Sequence, residues 1–203
     1  MRVLVFVESA EGKIKKTSIE AVCYAHAMGG PVVAIAMGDV ESSELEALGK
    51  FGAEKVLHAG NEKLKKGIIQ VYASVIAKAM EDEKADVLVI ANSSLGTPVA
   101  ARVAIKVGAS LASNIVSLPD TKSGFVVQRS IYSGKAFAFV ELKNQKKVLA
   151  LKKNAADIKE VGQPVTVTPY EVAVSDQDFA VTITSSELAS GEVLLPEANI
   201  VVS

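Results

Sequence analysis

The sequence predicts an α/β protein whose mostly parallel sheet is covered by helices on both faces. Three observations carry that prediction. Short, nearly continuous apolar runs recur along the first half of the chain, as strands buried on both faces require. Each run is followed by a stretch with apolar residues at helical spacing, begun by a capping residue and stopped by glycine. The composition agrees: of 203 residues 49% are hydrophobic but only 5% aromatic, with no Trp, which suits small helices lying close on a Val/Ile-rich sheet.

The elements follow in order. "RVLVFVE" (Arg2 to Glu8) is the first strand. "TSIE" offers a capping box, Thr17 as N-cap with Glu20 three residues on. Ile19, Val22, Cys23 and His26 then share a helical stripe, ended by Gly29-Gly30. Cys23 on that stripe reads as a small core residue, and His26 as a helix–sheet contact. "PVVAIAM" is a second strand, and "SSELEALGKFG" a short helix with Ser43 and Glu46 as another box. "KVLHAG" is a third strand with His58 near its carboxyl end. Ile68, Tyr72, Val75, Ile76 and Ala79 form one stripe between Gly67 and Met80. "DVLVIAN" is the fourth strand. "GTPVAARVAIKVG" has Thr97 as N-cap, Pro98 at the first helical position and Gly108 as the stop. Alternation of this kind implies right-handed crossovers and a parallel sheet.

After Gly108 the rhythm changes. "SNIVSLPD" is expected as a fifth strand, giving the order 3-2-1-4-5. "GFVVQRSIYSGKAFAFVEL" reads as two antiparallel strands joined around Ser133-Gly134, an addition to one edge of the sheet. "KKVLALKK" is one more short strand. From Ala155 to Pro196 the helical cycle does not return, and Gln163-Pro164, Thr168-Pro169 and Leu195-Pro196 punctuate extended stretches. This reads as a linker-like arm lying along another surface. Asn199 to Ser203 reads as a terminal strand.

Charge and cysteine content narrow the function. A formal net charge of −1 gives no electrostatic case for nucleic acid or an anionic membrane. Lysines cluster at Lys13, Lys15, Lys16 and at Lys143, Lys146, Lys147, Lys152, Lys153, which fit solvated turns or edges, or else an acidic partner surface. One cysteine permits neither a disulfide framework nor a CxxC pair. With no signal-like segment and no apolar run approaching the roughly 20 residues of a membrane span, a soluble intracellular protein is expected.

Open sheets of this kind bind ligands beyond the carboxyl ends of their strands, where the strand order reverses. Here that crevice lies between strands 1 and 4. Glu8 and Ser9 end the first; Asn92, Ser93, Ser94, Leu95, Gly96 and Thr97 end the fourth and open a helix whose N–H groups face the crevice. Against an anion site stands "ESAEGKIKK", which lacks a GxGxxG fingerprint and brings Glu8 and Glu11 to the place of the phosphate, unless Lys13 or Lys15 offsets them. The alternatives are a nucleotide-binding module using Glu8, Ser93, Ser94, Gly96 and Thr97, and a helix-capping turn without ligand. There is no GxSxG, HExxH or Walker loop, no metal-ligand cluster, and no visible catalytic group.

Four stretches carry a resemblance. "VLVFVESAEGKIKKTSIEAV", "GAEKVLHAGN", "ADVLVIANSSLGTPVAARVA" with Arg102, and "RSIYSGKAFAFV", in which Arg129, Tyr132, Gly134 and Ala136 form R-x-x-Y-x-G-x-A, are similar, in this order, to the α subunit of electron transfer flavoproteins. The likeness runs through the whole chain. It implies a Rossmann-like three-layer sandwich, adenine nucleotide alpha hydrolase-like, over residues 1–154, and an arm over 155–203. In that family a strand like "ANIVVS" leads into a glycine-rich loop that opens the FAD-holding domain. The resemblance therefore implies a first domain with no catalytic group, and FAD held by the complete subunit rather than by these residues. It further implies a β-subunit partner, and electrons passing from dehydrogenases through FAD to an acceptor oxidoreductase in the bacterial cytoplasm. Arg129, Tyr132 and Gly134 are the expected partner contacts, or else a turn that serves only its own sheet. Apolar surface left for partners implies self-association.

Overall fold

The computed structural model describes residues 1–172 and 176–185. The strand expected at Asn199 to Ser203 and the Leu195-Pro196 step lie outside the described residues.

Strand β1 (Val3–Val7) leads into a small hairpin, β2 (Ser9–Ala10) and β3 (Lys13–Ile14), and then helix α1 (Lys16–Ala27). Strand β4 (Val32–Met37), helix α2 (Ser42–Ala47) and strand β5 (Lys55–Ala59) follow. Helix α3 (Ile69–Asp82), strand β6 (Val87–Ala91) and helix α4 (Gly96–Val107) complete the regular alternation. Then come β7 (Ser110–Ile115), the hairpin β8 (Val126–Ile131) and β9 (Ala136–Glu141), β10 (Lys147–Leu151) and β11 (Val167–Pro169).

Among the described residues nine strands form one sheet in the order β11-β5-β4-β1-β6-β10-β7-β8-β9. All neighbours run parallel except β7–β8 and β8–β9. Period-two geometry then splits each apolar run between two cores. Leu4, Phe6, Val33, Ile35, Leu88 and Ile90 pack under α3 and α4. Val3, Val5, Val7, Val32, Ala34, Val87 and Val89 pack under α1 and α2. The result is a Rossmann-like three-layer sandwich with an antiparallel edge hairpin, as the sequence predicts.

The order 3-2-1-4 holds, but the fifth place does not belong to the strand after Gly108. Strand β10 inserts between β6 and β7, parallel to both. Its burial explains this: Val148, Leu149, Ala150 and Leu151 are all buried, whereas β7 leaves Leu111 exposed. A strand apolar on both faces belongs inside the sheet. The fifth strand also starts earlier than "SNIVSLPD" suggests, at Ser110.

Neither capping box forms. Helix α1 begins at Lys16 with Lys15 as a backbone N-cap and no side-chain cap bond. Glu20 instead accepts the Asn154 N–H at 2.8 Å. Helix α2 starts after Glu41, again without a side-chain cap. Cys23 is buried, and burial pushes its thiol up. His26, by contrast, is exposed rather than a sheet contact. The α3 stripe is as expected: Ile68, Tyr72, Val75, Ile76 and Ala79 are all buried.

The arm's surface is that of its own sheet. Val161 and Gly162 N–H groups donate to the Lys50 carbonyl, and Val165 donates to Glu46. Strand β11 then pairs in parallel with β5. Tyr170, Val172, Phe179 and Ile183 pack against the α3 side of the core.

Candidate functional site

The strand order reverses at β1, which pairs with β4 on one side and β6 on the other, so the crevice lies where the sequence places it. Glu8 enters it directly from β1 and is 3% exposed. Its backbone is pinned by its own N–H donating to Ser18 Oγ at 2.8 Å, and by its carbonyl accepting the Lys15 N–H at 2.9 Å. Its carboxylate takes Lys15 Nζ at 3.2 Å on Oε2, and the Ser93 hydroxyl on Oε1. Ser93 Oγ in turn accepts the Gly96 N–H at 2.7 Å. Glu8, Ser93 and Gly96 thus form one chain of bonds ending on the first N–H of α4.

Gly96 is required by close approach. A Cβ there would lie 2.1 Å from the Ala91 carbonyl oxygen and 3.1 Å from Glu8 Oε1. Thr97 is inside the helix rather than its N-cap; its hydroxyl donates to Asn92 Oδ1 at 3.0 Å, and Asn92 Nδ2 donates to Asn114 Oδ1. Ser94 and Thr97 are exposed and stand apart from the Glu8 chain. Of the five candidates the structure joins three.

Beside Glu8 lies a cavity of about 370 Å³ lined by Gly12, Asp39, Lys65, Lys66, Tyr72 and Leu95 among others. Lys65 is bridged to Asp39 at 3.2 Å and to Glu62 at 2.8 Å. Tyr72 donates to the Leu64 carbonyl at 2.6 Å and packs edge-on against Phe6. Sequence patterns marked Tyr72 only as core. Burial, with a smaller contribution from the Glu8 charge, pushes its phenol from 10.0 up to about 12. The folded pKa lies above the unfolded one, so the neutral phenol favours the fold. That stabilisation is complete below pH about 10 and is lost as pH rises towards about 12. Denaturant midpoints measured over that window should fall for the wild type and fall less for Tyr72→Phe; identical slopes would refute the assignment.

The geometry decides what this crevice can hold. In dinucleotide sites the anion at the helix N-terminus is the ligand's phosphate. Here the position is filled by the chain's own carboxylate, already paired with Lys15. A flavin or adenine dinucleotide would set its pyrophosphate against a buried negative charge. The residues that line this crevice do not fit FAD.

The hairpin candidates separate similarly. Arg129 is half-buried, and its guanidinium donates to Ser113 Oγ at 3.1 Å, so it ties the hairpin to β7. Its Nε is buried and finds no hydrogen-bond partner among the described residues. Tyr132 is 78% exposed. The turn runs through positive φ at Tyr132 (49°), Ser133 (54°) and Gly134 (91°). A tyrosine in the left-handed region is strained by roughly 1–3 kcal/mol, which the hairpin must offset. On β9, Phe137 and Phe139 are 57% and 73% exposed. The sequence marked Tyr132 but not these phenylalanines, although alternation along "KAFAFVE" contains the signal.

Among the described residues no helix is long and apolar enough to cross a membrane, and no group of three His, Cys, Asp or Glu is placed to hold a metal. The family model of the electron transfer flavoprotein domain matches residues 3–177. The electron transfer flavoprotein α subunit of Bacillus subtilis is 26% identical over 206 residues, covering 100% of this chain and 63% of that protein. That of Mycobacterium tuberculosis is 27% identical over 179 residues, covering 88% of this chain and 55% of its own length. The acryloyl-CoA reductase electron transfer subunit beta of Anaerotignum propionicum is 28% identical over 126 residues, 60% of this chain and 34% of that protein. The chain thus spans less than two thirds of the relatives it matches. With the fold, the four ordered motifs and a family match through residue 177, the chain belongs to the electron transfer flavoprotein domain family.

Proposed function

We propose that this chain is the N-terminal domain of an electron transfer flavoprotein α subunit and serves as a docking platform for the β subunit. In this reading residues 1–154 form the domain and 155–203 an arm. The assembled heterodimer carries electrons from dehydrogenases through FAD to an acceptor oxidoreductase in the bacterial cytoplasm. The domain itself contributes surface rather than chemistry. The observation that carries the reading is the β8–β9 hairpin, which exposes Tyr132, Phe137 and Phe139 together at one end of the sheet. Aromatic area of that kind is the usual anchor of a protein interface. Tyr132 and Gly134 are the contacts, with Arg129 holding the turn in place.

Calorimetric titration with an electron transfer flavoprotein β subunit is expected to give heat and co-elution, weakened about tenfold or more by Tyr132→Ala. Absence of both would remove the reading. The purified chain is expected to be colourless; a yellow preparation would mean that the flavin site has been misplaced.

A second reading, a nucleotide module, keeps support only from the cavity beside Tyr72. AMP, ATP or FAD at about 100 times its Kd would stabilise the fold by about 2.7 kcal/mol. The buried Glu8 carboxylate predicts no such shift.

A further inference from the structure

Among the described residues strand β9 ends the nine-stranded sheet. Which of its backbone groups face outward follows from the bonds around β8. Leu142 N–H donates to the Phe125 carbonyl, whereas Val126 exchanges both bonds with Asp120, and Gln128 accepts from Val116. Successive residues of a strand point to opposite edges. The backbone groups of Ala136, Ala138 and Val140 therefore face β8. Those of Phe137 and Phe139 face away, without a strand to meet among the described residues. The same two residues expose their rings, so β9 presents an open ladder and an apolar stripe together, the combination that invites strand addition.

We propose that the outer edge of β9 pairs antiparallel with β9 of a second copy of this chain, across a two-fold axis at Ala138. In this register Phe137 lies opposite the partner's Phe139, and each such pair can exchange both backbone hydrogen bonds. Ala138 meets the partner's Ala138 in the close, non-hydrogen-bonded pair, where Cα atoms approach to about 4.5 Å and small side chains fit best. Lys135 at the turn lies opposite the partner's Glu141, once on each side of the axis. Both side chains are exposed: Lys135 lies open to solvent, and among the described residues Glu141 holds a loose 3.9 Å contact with Lys143, itself solvent-exposed.

Charge selects this register from its neighbours. An axis at Phe139 would set Lys135 against the partner's Lys143 and Phe137 against the partner's Glu141. An axis at Phe137 would leave Glu141 opposite the partner's Ser133. Only the Ala138 axis joins opposite charges and stacks aromatic pairs on one face. The dimer uses the same β9 phenylalanines as the β-subunit docking proposed above, so the two occupants compete for one surface; the tests remain distinguishable, since the titration can fail while the chain still dimerises.

Sedimentation velocity on the full chain over a concentration series is expected to show a monomer–dimer equilibrium. Lys135→Glu and Glu141→Lys should each weaken it about tenfold, and the double variant should restore it. Hydrogen exchange should show Phe137 and Phe139 N–H groups slowing with dimer formation, while those of Ala138 and Val140 are slow throughout. A chain that stays monomeric at millimolar concentration would overturn the proposal. So would a dimer indifferent to both single swaps, a double variant that fails to recover, or protection of β9 only when a β subunit is added.

Discussion

Glu8→Ala is expected to lower unfolding free energy by about 2–3 kcal/mol, more than any exposed substitution on this chain. The carboxylate is buried and joins three elements: β1, the Lys15 entry to α1, and the Ser93–Gly96 start of α4. Removing it leaves the Ser93 hydroxyl without its acceptor, and so frees the oxygen that accepts the Gly96 N–H at the start of α4, while Lys15 returns to solvent. Glu8→Gln should cost less, because its amide oxygen can still accept from Ser93. The effect has a diagnostic beyond stability. If Glu8 occupies the place that a phosphate takes in related folds, Glu8→Ala opens an anion site at the α4 N-terminus. Inorganic phosphate should then raise the melting temperature of Glu8→Ala by more than it raises that of the wild type. The wild type is the necessary control, since phosphate stabilises most folded proteins by exclusion from their surface. Equal shifts in the two proteins would show that Glu8 is an ordinary buried carboxylate and not an internal anion.

That role was half legible. The sequence shows Glu8 at the end of a buried strand and marks it as hostile to phosphate. What it does not show is that Ser93, 85 residues away, delivers its hydroxyl to Oε1. The central strands were readable because double burial forces the unbroken apolar runs of β1, β4 and β6. The hairpin was readable because its turn needs glycine and its strands alternate. The capping boxes failed for two physical reasons. Glu20 of the first is claimed by a distant donor, the backbone N–H of Asn154, while the second helix starts earlier, with Glu41 as its N-cap, so Ser43 lies inside the helix. Strand β10 was recognised but misplaced, since apolar content predicts burial and not which neighbours supply it. Strand β11 was invisible. Its three residues, Val-Thr-Pro, follow closely on Pro164 and end at Pro169, in a stretch that reads as linker. Pro169 is tolerated because β11 is an edge strand, where a missing N–H costs no ladder bond.

Gly49→Ala should release that arm while leaving the sandwich folded. Gly49 sits in the 3-10 turn Leu48–Phe51, directly beneath the crossing of the arm. A Cβ there would meet the Gln163 carbonyl oxygen at 2.3 Å and the Val165 nitrogen at 2.8 Å. Both are backbone atoms and cannot rotate away as a side-chain tip could. Gly162 makes the reverse approach, with its Cβ position 2.6 Å from the Gly49 carbonyl oxygen. Two backbones thus touch through a pair of glycines, and one methyl group must push them apart. The bonds at risk are Val161 and Gly162 to Lys50, Val165 to Glu46 and Tyr170 to His58. None belongs to the β1, β4 or β6 ladders. The expected loss is about 1–3 kcal/mol, with hydrogen exchange accelerating at Val165 and Tyr170 while the β1 and β6 amides stay protected. Limited proteolysis should then cut between Asp157 and Tyr170 first. Uniform acceleration across the whole sheet would mean that the arm is part of the domain's cooperative core, and that a division at residue 154 has no energetic basis.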